Sequence, residues 1–245
     1  LDLRRGIGRF LIAVILTPLE RTERDRATLL AASDFTVPRK ARQEYEKGHR
    51  AFQKGNLLEA RRRLAKAVSG FPCYARAQTE LGLTLGLLNE FPEAEVALSR
   101  AIECDGGFLE AYIQLGILFN LQKKFLESKA ILTKGIRRFP GSWQLHYQLA
   151  AALYGLGRHK QAEEEYLKAQ SLNSGVPAEI HVRLADVYVQ QGHYDKAYGE
   201  LQAYLRAAPN GRFAAKANDV MRRMESTGVL RPTRASSVPP KAEEH

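Results

Sequence analysis

Residues 75–106 read ARAQTELGLTLGLLNEFPEAEVALSRAIECDG. Two helical patterns sit back to back in this stretch, parted by Asn89-Glu90-Phe91-Pro92. Leu81-Gly82, Ala94 and Ala101 mark offsets that recur along the chain. Gly48, Gly82, Gly116 and Ala150 stand 34 residues apart, and Ala185 follows after 35. Ala60, Ala94, Ser128 and Ala162 keep the same step, with Ala197 after 35. Ala67, Ala101, Gly135 and Ala169 form a third series, and Pro72, Gly106, Pro140 and Ser174 a fourth. Four series held in register indicate a stacked-repeat solenoid. A glycine inside a helix costs roughly 1 kcal/mol relative to alanine. A helix accepts that where another helix must approach closely, so positions near 82, 94 and 101 mark helix crossings. The Pro or Gly that closes each unit stops its second helix, since Pro has no N–H and clashes with the preceding turn.

These residues resemble the tetratricopeptide repeat (TPR), a 34-residue unit with large-then-small residues in its first helix (A) and small residues at two points in its second (B). In the second unit the matching residues are Leu81-Gly82, Leu85, Phe91, Ala94, Leu98 and Ala101; in the fourth, Leu149-Ala150, Leu153, Gly157, Ala162, Tyr166 and Ala169. The resemblance implies an all-α, right-handed superhelical solenoid of about five helix-turn-helix repeats. The units run 41–74, 75–108, 109–142, 143–177 and 178–211. Turns are expected at Gly55-Asn56, Asn89-Glu90, Gln122-Lys123, Gly157-Arg158 and Gly192-His193. Phe213 to Met224 carries apolar residues at helical spacing and is expected to cap the array, which thus spans 41–225. Some residues depart from the pattern. Glu44 and Lys47 replace apolar residues, as a terminal repeat facing solvent or a neighbouring domain allows. Ser128 and Gly135 keep the third unit small but favour helix less. Tyr204 stands where a small residue is expected, which demands a wider contact with the next stretch of chain.

Both ends depart from the repeat. The chain opens on Leu1 rather than Met, as a fragment or a processed product would. In 1–40, Arg4, Arg5 and Arg9 precede the apolar run Phe10 to Leu16, which Pro18 closes. The run reads as a strand of a missing upstream domain, with 20–38 as a polar linker. A signal or interfacial segment, or a helix packed on the first repeat, also fits it. Residues 226–245 hold Pro232, Pro239-Pro240 and few apolar residues, the composition of a disordered tail.

Composition narrows the function. Hydrophobic residues make up 44% of 245 residues, ample for a core, with no apolar run long enough for a transmembrane helix. Two cysteines, Cys73 and Cys104, are too few for a disulfide framework and lack metal-type spacing. The net charge of +10 invites a nucleic-acid reading. Yet the charge alternates, from +5 in the first unit to −4 in the second, +4 in the third and 0 in the fourth. Two basic clusters, Arg61-Arg62-Arg63 with Lys66, and Lys129, Lys134, Arg137 and Arg138, fall on helix B. They lack interleaved aromatics and read as solvated convex faces, which argues against nucleic acid.

No P-loop, GxGxxG, HExxH or GxSxG motif is present. His146 and His181 share one position of helix A without further metal ligands beside them, and read as packing histidines. Neither metal nor cofactor is expected. The resemblance leaves the concave groove, lined by helix A, as the functional surface. The lysines, asparagines and arginine with which some TPR co-chaperones clamp a peptide carboxylate are missing: Tyr45, His49, Glu80, Glu110 and Gln114 occupy one register, and Thr79, Leu83, Gln114, Gln144 and Gln148 the other. The middle of the groove is instead apolar and aromatic. Arg76, Leu83, Ile113, Ile117, Asn120, Tyr147 and Tyr154 are the candidate partner-binding residues, although the same positions also suit ordinary helix packing. A non-catalytic interaction scaffold holding a partner peptide or helix is expected. The alternative is an accessory or assembly module of a larger bacterial envelope or enzyme complex, and self-association through an end repeat is a further expectation. Composition leaves open the cytoplasm, or the periplasm or envelope if a secreted domain stands upstream.

Overall fold

The computed structural model describes residues 37–173 and 176–230. The expected strand at Phe10 to Leu16, most of its linker, and the tail beyond 230 lie outside the described residues. Among the described residues there are helices and no strands: α1 (Arg39–Gln53), α2 (Leu57–Gly70), α3 (Ala75–Leu87), α4 (Phe91–Cys104), α5 (Leu109–Leu121), α6 (Phe125–Arg138), α7 (Trp143–Gly155), α8 (His159–Leu172), α9 (Glu179–Gln191), α10 (Tyr194–Ala207) and α11 (Ala214–Ser226). The chain divides into two compact units between Val176 and Pro177. The first holds the helical hairpins α1/α2, α3/α4, α5/α6 and α7/α8. The second holds α9/α10 and α11. None of these helices is long and apolar enough to cross a membrane.

Each hairpin turns on one left-handed residue: Gly55, Asn89, Lys123, Gly157 and Gly192, with φ between 59° and 77°. The next residue's N–H bonds back five residues, as from Glu90 to the Leu85 carbonyl (2.9 Å) and from Arg158 to Leu153 (2.9 Å). That bond satisfies a carbonyl at the helix end, which explains why a turn of two or three residues suffices.

The small-residue series sit at crossings. A Cβ on Gly82 would lie 2.5 Å from Leu98 Cγ, and one on Gly116 2.7 Å from Leu132 Cγ. Ala60, Ala94, Ala162, Ala67, Ala101 and Ala169 are fully buried. Ser128 is buried as well, and its hydroxyl donates to the Gly116 carbonyl at 3.0 Å. A buried hydroxyl without that bond would be costly.

The departures from the pattern find partners. Glu44 accepts from Arg63 at 3.1 Å, joining α1 to α2. The same two repeat positions carry His146 with Glu165 at 2.6 Å in the fourth hairpin, and His181 with Glu200 at 2.7 Å in the fifth. Both histidines are therefore bonded to a glutamate of their own hairpin. Tyr204 is buried, and its hydroxyl accepts from the N–H of Phe213 at 3.0 Å. Gly211 leaves room for that hydroxyl, which a Cβ would strike. The wider contact demanded by Tyr204 is met by this loop and α11.

Cys73, in the loop before α3, and Cys104, the last residue of α4, form a disulfide with Cα atoms 5.1 Å apart. The link ties the end of the first repeat to the end of the second. Sequence spacing gave no motif for it. The available signal was the period itself, which brings consecutive repeat ends side by side.

Candidate functional site: the A-helix face

Helices α3, α5 and α7 pack side by side in the first unit, α3 on α5 and α5 on α7. The candidate groove residues lie on them at different depths. Ile113, Asn120 and Tyr147 are buried, at 4%, 3% and 8% exposure. Tyr147 meets the ring of Tyr166 edge-on at 5.4 Å, and that of Trp143 at 6.5 Å. Asn120 Nδ2 donates to the Gln148 carbonyl at 3.1 Å, fastening α5 to α7. These three hold the helices together. Arg76, Leu83, Ile117 and Tyr154 are half-buried and retain accessible surface. Tyr154 lies edge-on to His159 at 5.3 Å.

Two further apolar residues belong with them. Leu87 and Leu121 are half-buried and stand four residues after Leu83 and Ile117, so each pair shares a helix face. That spacing was readable in the sequence. Towards α1 the same surface turns polar, where His49 Nδ1 and Glu80 meet at 2.8 Å. The face therefore offers an apolar track bounded by a polar pair, able to bury apolar side chains. Among the described residues no three His, Cys, Asp or Glu residues are grouped to hold a metal ion.

The corresponding positions of the second unit are spent internally. Val182, Asp186 and Val189 are buried, and Glu179 pairs with Arg212 at 3.5 Å. Burial pushes the Asp186 carboxyl up to about 7, against the opposing pull of Arg183 and of Lys216 on α11. Its unfolded value is near 3.8. Between those values the folded form holds a proton that the unfolded form has lost, so stability falls as pH rises through this window. Asp186→Asn is expected to flatten the decline of the urea midpoint between about pH 4 and pH 8. An unchanged slope would remove Asp186 as its source.

The two basic clusters differ. Arg61 pairs with Glu90, Arg62 with Glu59 at 2.8 Å, and Arg63 with both Glu44 and Glu59. The side chains of Lys129, Lys134 and Arg137 make no hydrogen bond or ion pair among the described residues.

A family model described as Tetratricopeptide repeat matches residues 45–107 and 122–177, and a second of the same description matches 178–210. No curated protein matches significantly. Among solved structures, MamA (41-end) from Desulfovibrio magneticus RS-1 is 16% identical with a TM-score of 0.64, over 72% of this chain and 99% of its own. Pseudomonas aeruginosa PilF is 18% identical with a TM-score of 0.66, over 78% of this chain and 86% of its own. YrrB, described as a TPR protein with an unusual peptide-binding site, is 15% identical with a TM-score of 0.57, over 72% of this chain and 90% of its own. At these identities the likeness is one of fold.

Proposed function

This chain belongs to the tetratricopeptide repeat family, an interaction-scaffold fold, and on that premise we propose that it is a non-catalytic scaffold holding a partner's apolar segment along α3, α5 and α7. The observation that carries this reading is the track Leu83–Leu87 and Ile117–Leu121, four large aliphatic side chains left half-buried on adjacent A helices. Tyr154 and Arg76 flank it, residue types enriched where binding energy concentrates. A helical or extended segment fits such a surface through side chains at regular spacing. YrrB supports the reading as a protein of this fold with a peptide-binding site. The non-catalytic part is supported by the family, and His49, His146 and His181 each join helices through a glutamate.

The test is a displayed-peptide selection on the full chain and on its Leu83→Glu and Ile117→Glu variants, with unfolding midpoints measured beside it. Both positions are partly exposed, so the variants are expected to fold. Peptides with spaced apolar residues are expected to enrich on the wild type and to lose at least about tenfold in affinity on either variant, since burying a charge against an apolar contact costs more than about 1.4 kcal/mol. Equal enrichment on all three proteins, or none on any, would sink the reading.

A further inference from the structure

A ladder of ion pairs links the B helices of the first unit, apart from the A-helix track. Arg61, in α2, pairs with Glu90, the N-cap of α4. One repeat on, the signs are exchanged: Glu95 of α4 pairs with Lys124, the N-cap of α6, at 2.9 Å. Both pairs span 29 residues. The same step places the third rung on Lys129 of α6 and Arg158, the N-cap of α8, which are two cations. Neither side chain makes a hydrogen bond or ion pair among the described residues. Lys160, exposed in the first turn of α8, adds a third charge of the same sign. The first-turn acid of the other B helices is also absent from α8, whose glutamates begin only at Glu163. Glu59, Glu93 and Glu127 stand in the first turns of α2, α4 and α6, and their counterpart in α8 is Gln161.

We propose that the third rung, formed by Lys129, Arg158 and Lys160, docks an acidic segment of a partner protein. A carboxylate of that segment bridges the two cations, supplying the acid that Glu90 and Glu95 supply at the first two rungs. Those rungs show that side chains from the two positions approach closely enough to form one ion pair, so Lys129 and Arg158 can converge on a single carboxylate. The neutralised cluster at Arg61-Arg62-Arg63 shows what the surface looks like when the chain supplies its own acids. Carboxylates fit better than nucleic acid, since single-stranded bases need aromatic platforms interleaved with the cations. This surface is separate from the apolar track, and its failure would leave the reading of that track intact.

The test uses the full chain, a fluorescent glutamate-rich peptide, its glutamine counterpart and a short oligothymidylate, titrated at low salt. The glutamate peptide is expected to bind more tightly than the other two. Arg158→Glu is expected to weaken it about fivefold or more, the worth of roughly one ion pair lost and one repulsion gained. The same change turns the third rung into a pair like the first two, so the unfolding midpoint is expected to hold or rise. Lys134→Glu, an equal charge change about 7.5 Å along α6 from Lys129, is expected to weaken binding less than Arg158→Glu does, since it acts only through the long-range field and breaks no contact with the carboxylate. Equal binding of the two peptides, equal loss in both variants, or tighter binding of the oligothymidylate would overturn the proposal.

Discussion

Gly82→Leu is expected to lower the stability of the chain by about 3 kcal/mol or more, while Gly86→Ala, four residues later in the same helix, raises it by up to about 1 kcal/mol. The two glycines look alike in sequence. At Gly82 a Cβ would stand 2.5 Å from Leu98 Cγ and 3.1 Å from the Ala94 carbonyl oxygen. Leu98 is fully enclosed, so neither it nor the α4 backbone can yield without moving the crossing. Leucine at 82 adds further carbons to that collision, and overpacking outweighs the gain in helix propensity. At Gly86 the nearest neighbour of a Cβ is Leu118 Cδ1, at 3.6 Å, an ordinary contact. Alanine there removes backbone freedom from the unfolded chain without strain. Urea titrations of both variants check the pair, and midpoints moving in the same direction would refute the packing argument.

Opening the disulfide is the second large effect. Cys73 and Cys104 are 31 residues apart, and closing a loop of that length restricts the unfolded chain by about 4 kcal/mol at 25 °C. The Cys73→Ala/Cys104→Ala variant is expected to lose most of that amount in a urea titration. Reductant is expected to bring the wild type to the same midpoint and to leave the variant unaffected. A loss under about 1 kcal/mol would mean that α3 and α4 already hold these ends together before the chain folds.

The period made the fold legible, because small residues at fixed offsets have a single mechanical use, to let helices cross. Tyr204 shows how far that logic reaches: the sequence demanded extra room beside it, and Gly211 and the Phe213 N–H provide it. Depth on the A-helix face was less legible. Ile113 and Ile117 are the same residue type one turn apart, yet only Ile117 keeps accessible surface. Tyr147 looks like an anchor until Tyr166 covers it, and Tyr166 stands where the other hairpins of this unit place Leu64, Leu98 and Leu132. Periodicity assigns a face, whereas burial depends on the bulk that a neighbouring helix contributes. The cross-helix bonds of His146 and His181 were hidden for a related reason. Each partner lies 19 residues away, a separation that acquires meaning only once the hairpin is closed.

The alternating signs of the B-helix ladder bear on how such an array survives gene rearrangement. Similar units invite unequal crossing-over, which removes or doubles one of them. Loss of the second repeat would bring Arg61 against Lys124, and its duplication would bring Glu95 against Glu90. Either product carries like charges at the new seam, where the parent has an attraction. The apolar surfaces of the units are close to interchangeable, but these seams are not. The order of the first three repeats is thus recorded in their charges, and an array shortened or lengthened by chance starts at a disadvantage to its parent.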